Sequence, residues 1–485
     1  MPGPQIGETG TVINVADGIS RLDALIESGP VARLATAFAA AGQELALVGG
    51  PVRDAFLGRD TGDLDFTSSA RPEELLAIMT PLASAIWDVG RDFGTIAARI
   101  DGHHVEVTTY RADAYDGVTR KPIVAFGDEL EGDLARRDFT VNAMALRLSD
   151  RVLVDPRGGL EDLLAGVLDT PVDPAVSFGD DPLRMMRAAR FTAQLGFRVS
   201  DRVAAAMAEL AASLEIVSVE RIADELAKLM RADDPVPGIR LLVDSGLADR
   251  VIPEVPALRL ESDEHAHHKD VYEHTLTVVQ QAVELERSRG ILDSPDLVVR
   301  LAALLHDIGK PATKRVEGRT VSFHHHDVVG AKLAAKRLKA LRFANDTVKS
   351  VSRLVELHLR FFGYSEQQWT DSAVRRYVRD AGDELERLHI LTRADVTTRN
   401  RRKAERLEWA YDDLEARIAQ LQEAEDLAAV RPDLDGEAIM RILGIRPGRE
   451  VGEAYRHLLE LRLDEGPLGE AEAERRLRTW WAARG

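Results

Sequence analysis

Two aspartates one residue apart, Asp63 and Asp65 in the stretch GDLDFT (62–67), are the first residues whose types and spacing could do chemistry. Alternate side chains of a strand share a face, so a strand here would place both carboxylates side by side. Each negative charge then makes ionisation of the other carboxyl less favourable. Either the strand is a solvated edge, or the pair binds a cation.

A glycine turn precedes this pair. Gly49 and Gly50 follow the apolar run ELALV, and Pro51 is typical of the first turn of a helix. A strand, a glycine turn and a helix N-terminus together present free backbone N–H groups to an anion, which Arg53 could also reach. Because Mg²⁺ prefers carboxylate and phosphate oxygens, the turn and the aspartates together predict a metal-bridged polyphosphate site.

A third carboxylate, Glu106 in the stretch HVEVTTY, could complete this acidic cluster. Two Mg²⁺ ions about 3.5–4 Å apart could activate an incoming hydroxyl and stabilise a departing pyrophosphate. A lone glycine turn or a lone pair of aspartates is usually without function. The prediction therefore depends on their order within one strand–helix–strand unit.

The elements that must position these groups form a predicted α/β unit over residues 31–155. Helices are predicted at 31–42 and at PEELLAIM, with strands at ELALVGG, DLDFT, GTIAARI and HVEVTTY. Residues 1–30 are weakly patterned and predict a flexible lead-in. From Gly158 onward the periodicity is helical, which predicts a neck (156–255), a second helical domain (256–400) and a helical tail (401–485).

Length and composition predict a globular protein of two to four domains, with 485 residues, 45% hydrophobic and 30% charged. No apolar run approaches a membrane span, and the first thirty residues lack the pattern of a signal peptide. The absence of cysteine excludes disulfides and thiolate-bound zinc and fits a cytoplasmic location, so Asp, Glu and His must hold any metal. The net charge of −18 disfavours wholesale nucleic-acid coating but permits a local basic channel.

Five ordered motifs resemble a known family. The stretch GGPVRDAFLGRDTGDLDFT (49–67) resembles the signature of class II tRNA nucleotidyltransferases, the CCA-adding enzymes, and of their bacterial poly(A) polymerase relatives. Four later stretches resemble further motifs of this family in the same order: DLARRDFTVNAMAL (133–146), DPRGGLEDLLAGVL (155–168), GDDPLRMMRAARFTAQLGF (179–197) and SVERIADELAKLM (218–230).

This resemblance implies an enzyme that transfers CMP and AMP from CTP and ATP to the 3′ end of tRNA and releases pyrophosphate. It implies that Asp63 and Asp65 hold Mg²⁺ and that an α/β nucleotidyltransferase head is followed by predominantly α-helical domains. It also implies a set of nucleotide-binding residues: Gly49, Gly50, Arg53, Arg137, Asp181, Arg184, Arg187 and Arg190.

Asp181 and Arg184 suggest how a protein could select two bases. Three residues apart, they are predicted to share one face of a helix. Cytosine and adenine each present an amino donor beside a ring-nitrogen acceptor, which an Asp acceptor and an Arg donor complement, whereas guanine and uracil reverse that order. Arg187 and Arg190 continue the predicted face towards phosphates. The alternative is an exposed i,i+3 salt bridge worth only a few tenths of a kcal/mol.

Nine of the thirteen histidines lie between His265 and His358. The adjacent His306 and Asp307 end the apolar helix LAALLHDIGK and resemble the HD superfamily of metal-dependent phosphohydrolases, in which metal-bound water attacks a phosphoester. Imidazole-rich ligation favours Mn, Fe, Co or Ni over Mg. The resemblance implies two ligand groups: His274, His306, Asp307 and Asp395 for one divalent ion, and His324, His326 and His358 as candidates for a second.

A basic surface is predicted between Ala331 and Arg360, where eight Lys and Arg residues accompany only two acids. Further cations follow at Arg375, Arg376, Arg379 and in RNRRK (399–403). Such a surface in an acidic protein suits tRNA, whose duplex arms are bound through phosphates and 2′-hydroxyls. Solvated helix faces are the alternative for any single cluster, and no protein partner is evident.

Three other functions compete with CCA addition. A poly(A) polymerase would share the head, although its relatives more often carry a strongly basic extension. An HD phosphohydrolase could use the head only to bind nucleotide. A non-catalytic RNA-binding module fits poorly with two acidic or histidine-rich metal constellations.

Overall fold

The computed structural model describes residues 14–60, 62–88, 90–114, 123–260, 270–317, 320–361, 363–364, 369–398, 400–424 and 431–484. The chain divides into two compact units, one formed by Met1–Val217 with Asp244–Leu247 and the other by Ser218–Val243 with Ala248–Gly485. The division at Val217 and Ser218 lies inside the predicted neck. The domain boundaries proposed from the sequence remain predictions.

The first unit contains short strands: β1 (Leu45–Val48), β2 (Asp63–Ser68), β3 (Ala85–Trp87), β4 (Thr95–Ile100), β5 (His103–Thr109), β6 (Arg111–Ala114), β7 (Ile123–Phe126), β8 (Ala145–Arg147), β9 (Val152–Val154), β10 (Val167–Leu168) and β11 (Arg198–Val199). Seven of them form one sheet in the order β3-β4-β5-β2-β1-β8-β9. Strand β2 pairs in parallel with β5 and antiparallel with β1. The strand with the two aspartates is therefore at the centre of the sheet.

The helices of the first unit are α1 (Val15–Ile26), α2 (Gly29–Ala40), α3 (Gly50–Leu57), α4 (Pro72–Met79), α5 (Leu130–Ala135), α6 (Gly159–Ala165), α7 (Pro174–Asp180), α8 (Leu183–Leu195) and α9 (Asp201–Leu210). Short 3₁₀ helices cover Arg91–Phe93, Thr140–Asn142 and Ala211–Ile216. Helices α2 and α4 contact the sheet and bury Phe38 and Met79.

The side chains of strand β5 alternate between a buried face of the sheet and a more exposed, wetter face. Val105 and Val107 are fully buried, whereas His104 and Glu106 are half-buried. Because side chains alternate along a strand, one face of the sheet supports the core and the other carries polar groups. The central strand β2 follows the same rule, with Phe66 in the core.

The strands predicted at DLDFT, GTIAARI and HVEVTTY are confirmed, as is the helix at PEELLAIM. The helix predicted at 31–42 occupies Gly29–Ala40, and Gly42 follows with a φ of 70°, a left-handed conformation that favours glycine. The flexible lead-in at 1–30 is wrong for residues 15–26, which form α1. Asn14 accepts a hydrogen bond from the Ala16 N–H and thereby caps this helix.

The second unit is helical, as predicted. Its elements are α10 (Val219–Met230), α11 (Val236–Asp244, which crosses the division), α12 (Ala248–Val251), α13 (Val271–Arg289), α14 (Leu297–Leu305), α15 (Lys310–Thr313), α16 (His326–Ala340), α17 (Asn345–Leu357), α18 (Asp371–Ala381), α19 (Leu385–Ala394), α20 (Arg401–Ala424), α21 (Gly436–Leu443), α22 (Arg449–Glu465) and α23 (Glu470–Ala482), with 3₁₀ helices at Pro256–Leu260 and Gly382–Glu384 and a hairpin of β12 (Arg315–Glu317) and β13 (Thr320–Ser322).

A buried ion pair ties three helices of this unit together. The Arg300 guanidinium on α14 donates to Glu286 on α13 at 2.9 Å, and also to the backbone carbonyls of Met230 and Ala232 at the end of α10. Both charged side chains are fully buried. Breaking one partner of such a pair leaves an uncompensated charge, so the pair fixes α14 firmly.

Within the described residues, none of the helices has the length and apolar character needed to cross a bilayer.

Candidate active site

The three predicted carboxylates of the head lie on one face of the central sheet. Asp65 on β2 is the direct cross-strand neighbour of Glu106 on β5, and Asp63 is the neighbour of His104. Cross-strand neighbours point to the same face, so the side chains of all four share the wetter face. Because β2 is the central strand, the sequence alternative of a solvated edge strand is excluded.

Burial and charge both oppose the ionised form of Asp65. Burial raises the pKa of its carboxyl most strongly, and the negative charges of Glu106 and Asp63 raise it further, while Arg137 and His104 oppose this shift. His104, which the sequence analysis did not single out, lies 3.7 Å from Asp63 (Nδ1 to Oδ1). Acids that oppose one another's ionisation form a set of ligands that a bound divalent cation stabilises.

The glycine turn adopts the predicted geometry at the end of β1. Gly49 has a φ of 74° and a ψ of −125°, a backbone conformation that requires glycine, and α3 begins at Gly50 with Pro51 in its first turn. A Cβ on Gly49 would lie 3.3 Å from Arg137 Nη1. The turn, the helix N-terminus and the Arg137 guanidinium are therefore close together, which suits a phosphate.

Arg137 is held in place by Asp133, a residue that sequence reasoning missed. The fully buried Asp133 accepts hydrogen bonds from Arg137 at 3.4 Å, from Arg136 at 2.6 Å and from the Thr67 hydroxyl of β2 at 3.1 Å. Burial raises the pKa of Asp133, but the two arginines outweigh it and hold the pKa below its usual value. One buried carboxylate thus connects Arg137 to the strand that carries Asp65.

Arg53 is buried beside the turn. Its guanidinium donates to Asp54 at 2.8 Å and to the Asn142 side chain at 2.7 Å, and it lies over the Phe191 ring. The sequence prediction that Arg53 contacts an anion remains a prediction, because these partners already satisfy part of its hydrogen-bonding capacity.

The predicted helix face carrying Asp181 and Arg184 is wrong. Asp181 has an extended backbone between α7 and α8, where it accepts a hydrogen bond from the Leu183 N–H. Arg184 is the second residue of α8, and its guanidinium donates to Ser177 Oγ at 2.8 Å and to the Arg136 carbonyl at 2.6 Å. Pro182 explains the break, since the residue before a proline avoids the helical region.

Arg187 and Arg190 lie on α8 as predicted. Arg187 pairs with Asp138 at 2.6 Å, and although burial raises the pKa of Asp138, this arginine and Asn142 hold it far below its usual value. Arg190 lies 4.2 Å from the Phe191 ring centroid. The Arg187–Asp138 pair fixes α8 to the segment that contains Arg137.

In the second unit, three buried histidines are oriented in one way. The Nδ1 atoms of His306, His326 and His358 lie 2.8, 2.8 and 2.6 Å from the carbonyl oxygens three residues earlier. This contact makes Nδ1 a protonated nitrogen and directs each Nε2 away from the backbone carbonyl. All three Nε2 atoms are buried without a hydrogen-bond partner. Metal-ligating histidines have this arrangement, in which a backbone carbonyl fixes the ring.

These histidines converge with carboxylates in two ligand groups: His274, His306 and Asp395, and Asp307, His326 and His358. The Asp307 carboxylate lies 3.2 Å from His306 Nε2 and 3.4 Å from His326 Nε2, so it borders both groups. The structure therefore brings together six of the seven predicted HD-type ligands. His324 is the exception: its side chain is exposed, because it lies in the turn before α16, whereas the preceding Phe323 is buried.

The electrostatics of this cluster suit a cation. Burial opposes the charged form of His306, but the negative charges of Asp307 and Asp395 outweigh it and raise its pKa to about 10. Lys310, also missed by sequence reasoning, lies 2.9 Å from Asp307. Buried carboxylates with inward-facing imidazole nitrogens form a donor set that fits a divalent metal.

Three family models match the chain. Residues 45–169 match the poly A polymerase head domain, residues 196–258 match a probable RNA and SrmB-binding site of polymerase A, and residues 271–400 match the HD domain. The A-adding tRNA nucleotidyltransferase of Deinococcus radiodurans is 34% identical over 448 residues, which cover 90% of this chain and 95% of that protein. The chain belongs to the family of CCA-adding tRNA nucleotidyltransferases.

Two further comparisons support this family assignment. The CCA-adding enzyme of a Geobacillus species is 40% identical over 207 residues, or 42% of this chain and 50% of that enzyme. The fold is similar to the crystal structure of the Bacillus stearothermophilus CCA-adding enzyme in complex with CTP, with a TM-score of 0.69 and 24% identity over 94% of this chain and 99% of that one. The protein is a nucleotidyltransferase that depends on divalent metal, and the poly(A) polymerase alternative is disfavoured.

The basic surface of this nucleotidyltransferase differs from its sequence pattern. All four arginines between Ala331 and Arg360 form ion pairs, as Arg337 does with Glu254 and Arg342 with Glu220. In the described part of the chain, the lysines of this segment have no ion pair. The positive charge available to a ligand therefore comes from four exposed residues: Lys332, Lys336, Lys339 and Lys349.

Proposed function

We propose that this protein completes the 3′ end of tRNA by adding CMP and AMP from CTP and ATP, with Mg²⁺ in the head. The observation that carries this proposal is the row of Asp65 and Glu106 beside the Gly49 turn and Arg137. In each step the 3′-oxygen of the RNA forms a bond to the α-phosphorus. The bond from that phosphorus to pyrophosphate breaks, and the hydroxyl proton passes to solvent water.

The residues divide into three roles. Asp63, Asp65 and Glu106 hold the metal ions, which supply charge stabilisation at both reacting oxygens when bound. Arg137 and the N–H groups of Gly49 and Gly50 bind the triphosphate. Arg53 and Arg187 brace the segments around this turn. Arg190, which lies over the neighbouring Phe191 ring on α8, is a further candidate to bind phosphate.

Asp181 and Arg184 select the base in this proposal. They lie at the start of α8 rather than on one helix face, and Asp181 accepts a hydrogen bond from the Leu183 N–H there. Arg184 contacts the carbonyl of Arg136, the residue before Arg137, so the base-reading and phosphate-binding positions are linked through the backbone. An acceptor beside a donor matches the edges of cytosine and adenine.

The exposed lysines of α16 and α17 support tRNA binding. Lys332, Lys336 and Lys339 recur at spacings of four and three residues, which places them on one face of α16. Duplex RNA is bound chiefly through phosphates, so such a face suits an acceptor arm. We propose a cytoplasmic location, where tRNA and nucleoside triphosphates are available.

Product sequencing tests the proposal. Transcripts of tRNA that lack the terminal CCA are incubated with CTP alone, ATP alone or both, and the added nucleotides are read. Addition of CCA supports the proposal. Addition of A alone to tRNA ending in CC, of CC alone, or of ATP to any RNA would overturn it. Asp65→Asn should slow addition by on the order of a thousandfold, because it removes a metal ligand.

A second activity is favoured by the HD cluster. We propose that His274, His306, Asp307, Asp395, His326 and His358 bind one or two divalent ions of Mn, Fe, Co or Ni, and that the site hydrolyses phosphoesters. The three buried, unpartnered Nε2 atoms carry this proposal. Hydrolysis of a chromogenic phosphodiester that depends on added Mn²⁺ or Ni²⁺, and is lost in His306→Ala but retained in Asp65→Asn, would support it.

A further inference from the structure

Two aromatic rings, those of Trp87 and His104, lie on the carboxylate face of the sheet. Trp87 on β3 is the cross-strand neighbour of Ala97 on β4, and Ala97 is the neighbour of Glu106. Glu106 in turn neighbours Asp65. Because cross-strand neighbours share a face, Trp87 lies in the same row and on the same side of the sheet as the catalytic carboxylates.

His104 connects Trp87 to the acids. Its ring centroid lies 5.9 Å from that of Trp87 at an interplanar angle of 38°, and its Nδ1 lies 3.7 Å from Asp63. Ala97 is too small to cover the space beside them. Trp87 is 42% exposed, which leaves a large apolar ring open to a ligand.

The order of strands decides which substrate this surface faces. The Gly49 turn, which suits the triphosphate, follows β1 on one side of β2, and Arg137 lies close to this turn. Strands β5, β4 and β3, with His104 and Trp87, lie on the other side. Phosphoryl transfer places the attacking and leaving oxygens roughly in line. The RNA terminus must therefore arrive from the side opposite the departing pyrophosphate, which is the side of Trp87.

A cation completes this surface. Arg99 on β4 is the cross-strand neighbour of His104, so it shares the carboxylate face. Its side chain is exposed, and within the described residues it has no ion pair. Proteins that bind single-stranded nucleic acid combine aromatic rings, on which bases stack, with cations that contact the backbone.

We propose that Trp87 and His104 form a stacking platform for the unpaired bases at the 3′ end of the acceptor RNA, with Arg99 against its backbone. This inference rests on the proposed function. Strands lie about 4.8 Å apart, so Trp87 is roughly 14 Å from Asp65 across three strand spacings. That distance suits a base one or two nucleotides before the reacting terminus, while His104 faces the terminal nucleotide.

Two substitutions separate stacking from simple packing. Trp87→Leu keeps an apolar side chain but removes the ring, whereas Trp87→Phe keeps a ring. We expect the KM for tRNA to rise about tenfold in Trp87→Leu and to be largely restored in Trp87→Phe, since stacking on one base is worth this much. The KM for CTP and ATP should stay within twofold. Trp409→Leu, at a tryptophan 60% exposed on α20, is the matched control.

A direct readout comes from tRNA carrying 2-aminopurine near its 3′ end. Stacking on Trp87 should quench its fluorescence on binding to the wild type and to Trp87→Phe, but not to Trp87→Leu. An unchanged tRNA KM and unchanged quenching in Trp87→Leu would overturn the platform, as would an equal loss in Trp409→Leu. Failure of the proposed function is distinct, because the nucleotides that the wild type adds to tRNA lacking CCA would then differ from CCA, whatever the effect of Trp87→Leu.

Discussion

Glu106 and Asp65 are direct neighbours in the parallel pairing of β5 with β2, although 41 positions separate them in the numbering. After burial, the charge of Glu106 is the largest cause that raises the pKa of Asp65. Two carboxylates on neighbouring strands stabilise a cation that they share, and they destabilise each other when no cation is bound. Their pairing is the basis of the nucleotidyltransferase site.

Glu106→Gln should lower the rate of nucleotide addition by on the order of a hundredfold, because it removes one anionic oxygen from the cation site while preserving size. The Mg²⁺ concentration that gives half-maximal rate should rise. Steady-state rates over a Mg²⁺ titration measure both effects. A variant with the wild-type rate and Mg²⁺ requirement would show that Glu106 is outside the metal site.

Gly49→Ala should impair both folding and nucleotide binding. Its backbone conformation costs a residue with a Cβ about 1–3 kcal/mol, and the new Cβ would push against Arg137 Nη1. Gly42→Ala is the matched control, since Gly42 also has a positive φ but nothing lies within 4 Å of the added atom. We expect both variants to lose stability in urea, but only Gly49→Ala to raise the KM for CTP and ATP.

Neutralising the exposed lysines should lower the affinity for tRNA and make that affinity depend less on salt concentration. For Lys332→Gln combined with Lys336→Gln and Lys339→Gln, the slope of log K against log salt should fall by about one for each phosphate that the protein no longer neutralises. Arg342→Gln removes a positive charge that Glu220 already neutralises, so it should change this slope little. Equal effects of the two variants would contradict this distinction.

Metal binding at the HD cluster should be visible as thermal stabilisation. A divalent ion at a hundredfold excess over its Kd should stabilise the native state by about 2.7 kcal/mol, and a chelator should reverse this. His358→Gln should lose the stabilisation, because it removes a buried Nε2. His324→Gln should retain it, since that side chain is exposed. The Tm with and without Mn²⁺ or Ni²⁺ tests both.

His389 should make the second unit sensitive to acid. Burial lowers its pKa to about 4, despite Glu386 and Glu415 nearby. An unfolded histidine has a pKa of about 6.5, so below that pH the unfolded state takes up a proton that the native state refuses, and stability falls. Between pH 7 and 5 this costs about 2 kcal/mol. In urea unfolding, the free energy of unfolding of His389→Phe should fall between pH 7 and 5 by about 2 kcal/mol less than that of the wild type. The fall for His103→Gln, at an exposed histidine, should equal that of the wild type.

The sequence by itself determined the local elements and the chemical types. The glycine turn, the aspartate pair and the histidine cluster were legible because turns, strands and ligand spacings are short-range patterns. The helix at Pro72–Met79 and the strand at Asp63–Ser68 follow from such patterns. The family resemblance added the roles of motifs that are distant in the chain.

Only the tertiary structure decided which groups meet. It placed Asp181 between two helices rather than on one, exposed His324, and paired every arginine of the basic segment while leaving its lysines available. It also revealed Asp133 beneath Arg137 and put Trp87 in the row of Asp65. The physical reason is that strand register, burial and ion pairing join residues far apart in sequence, and no local pattern encodes those partners.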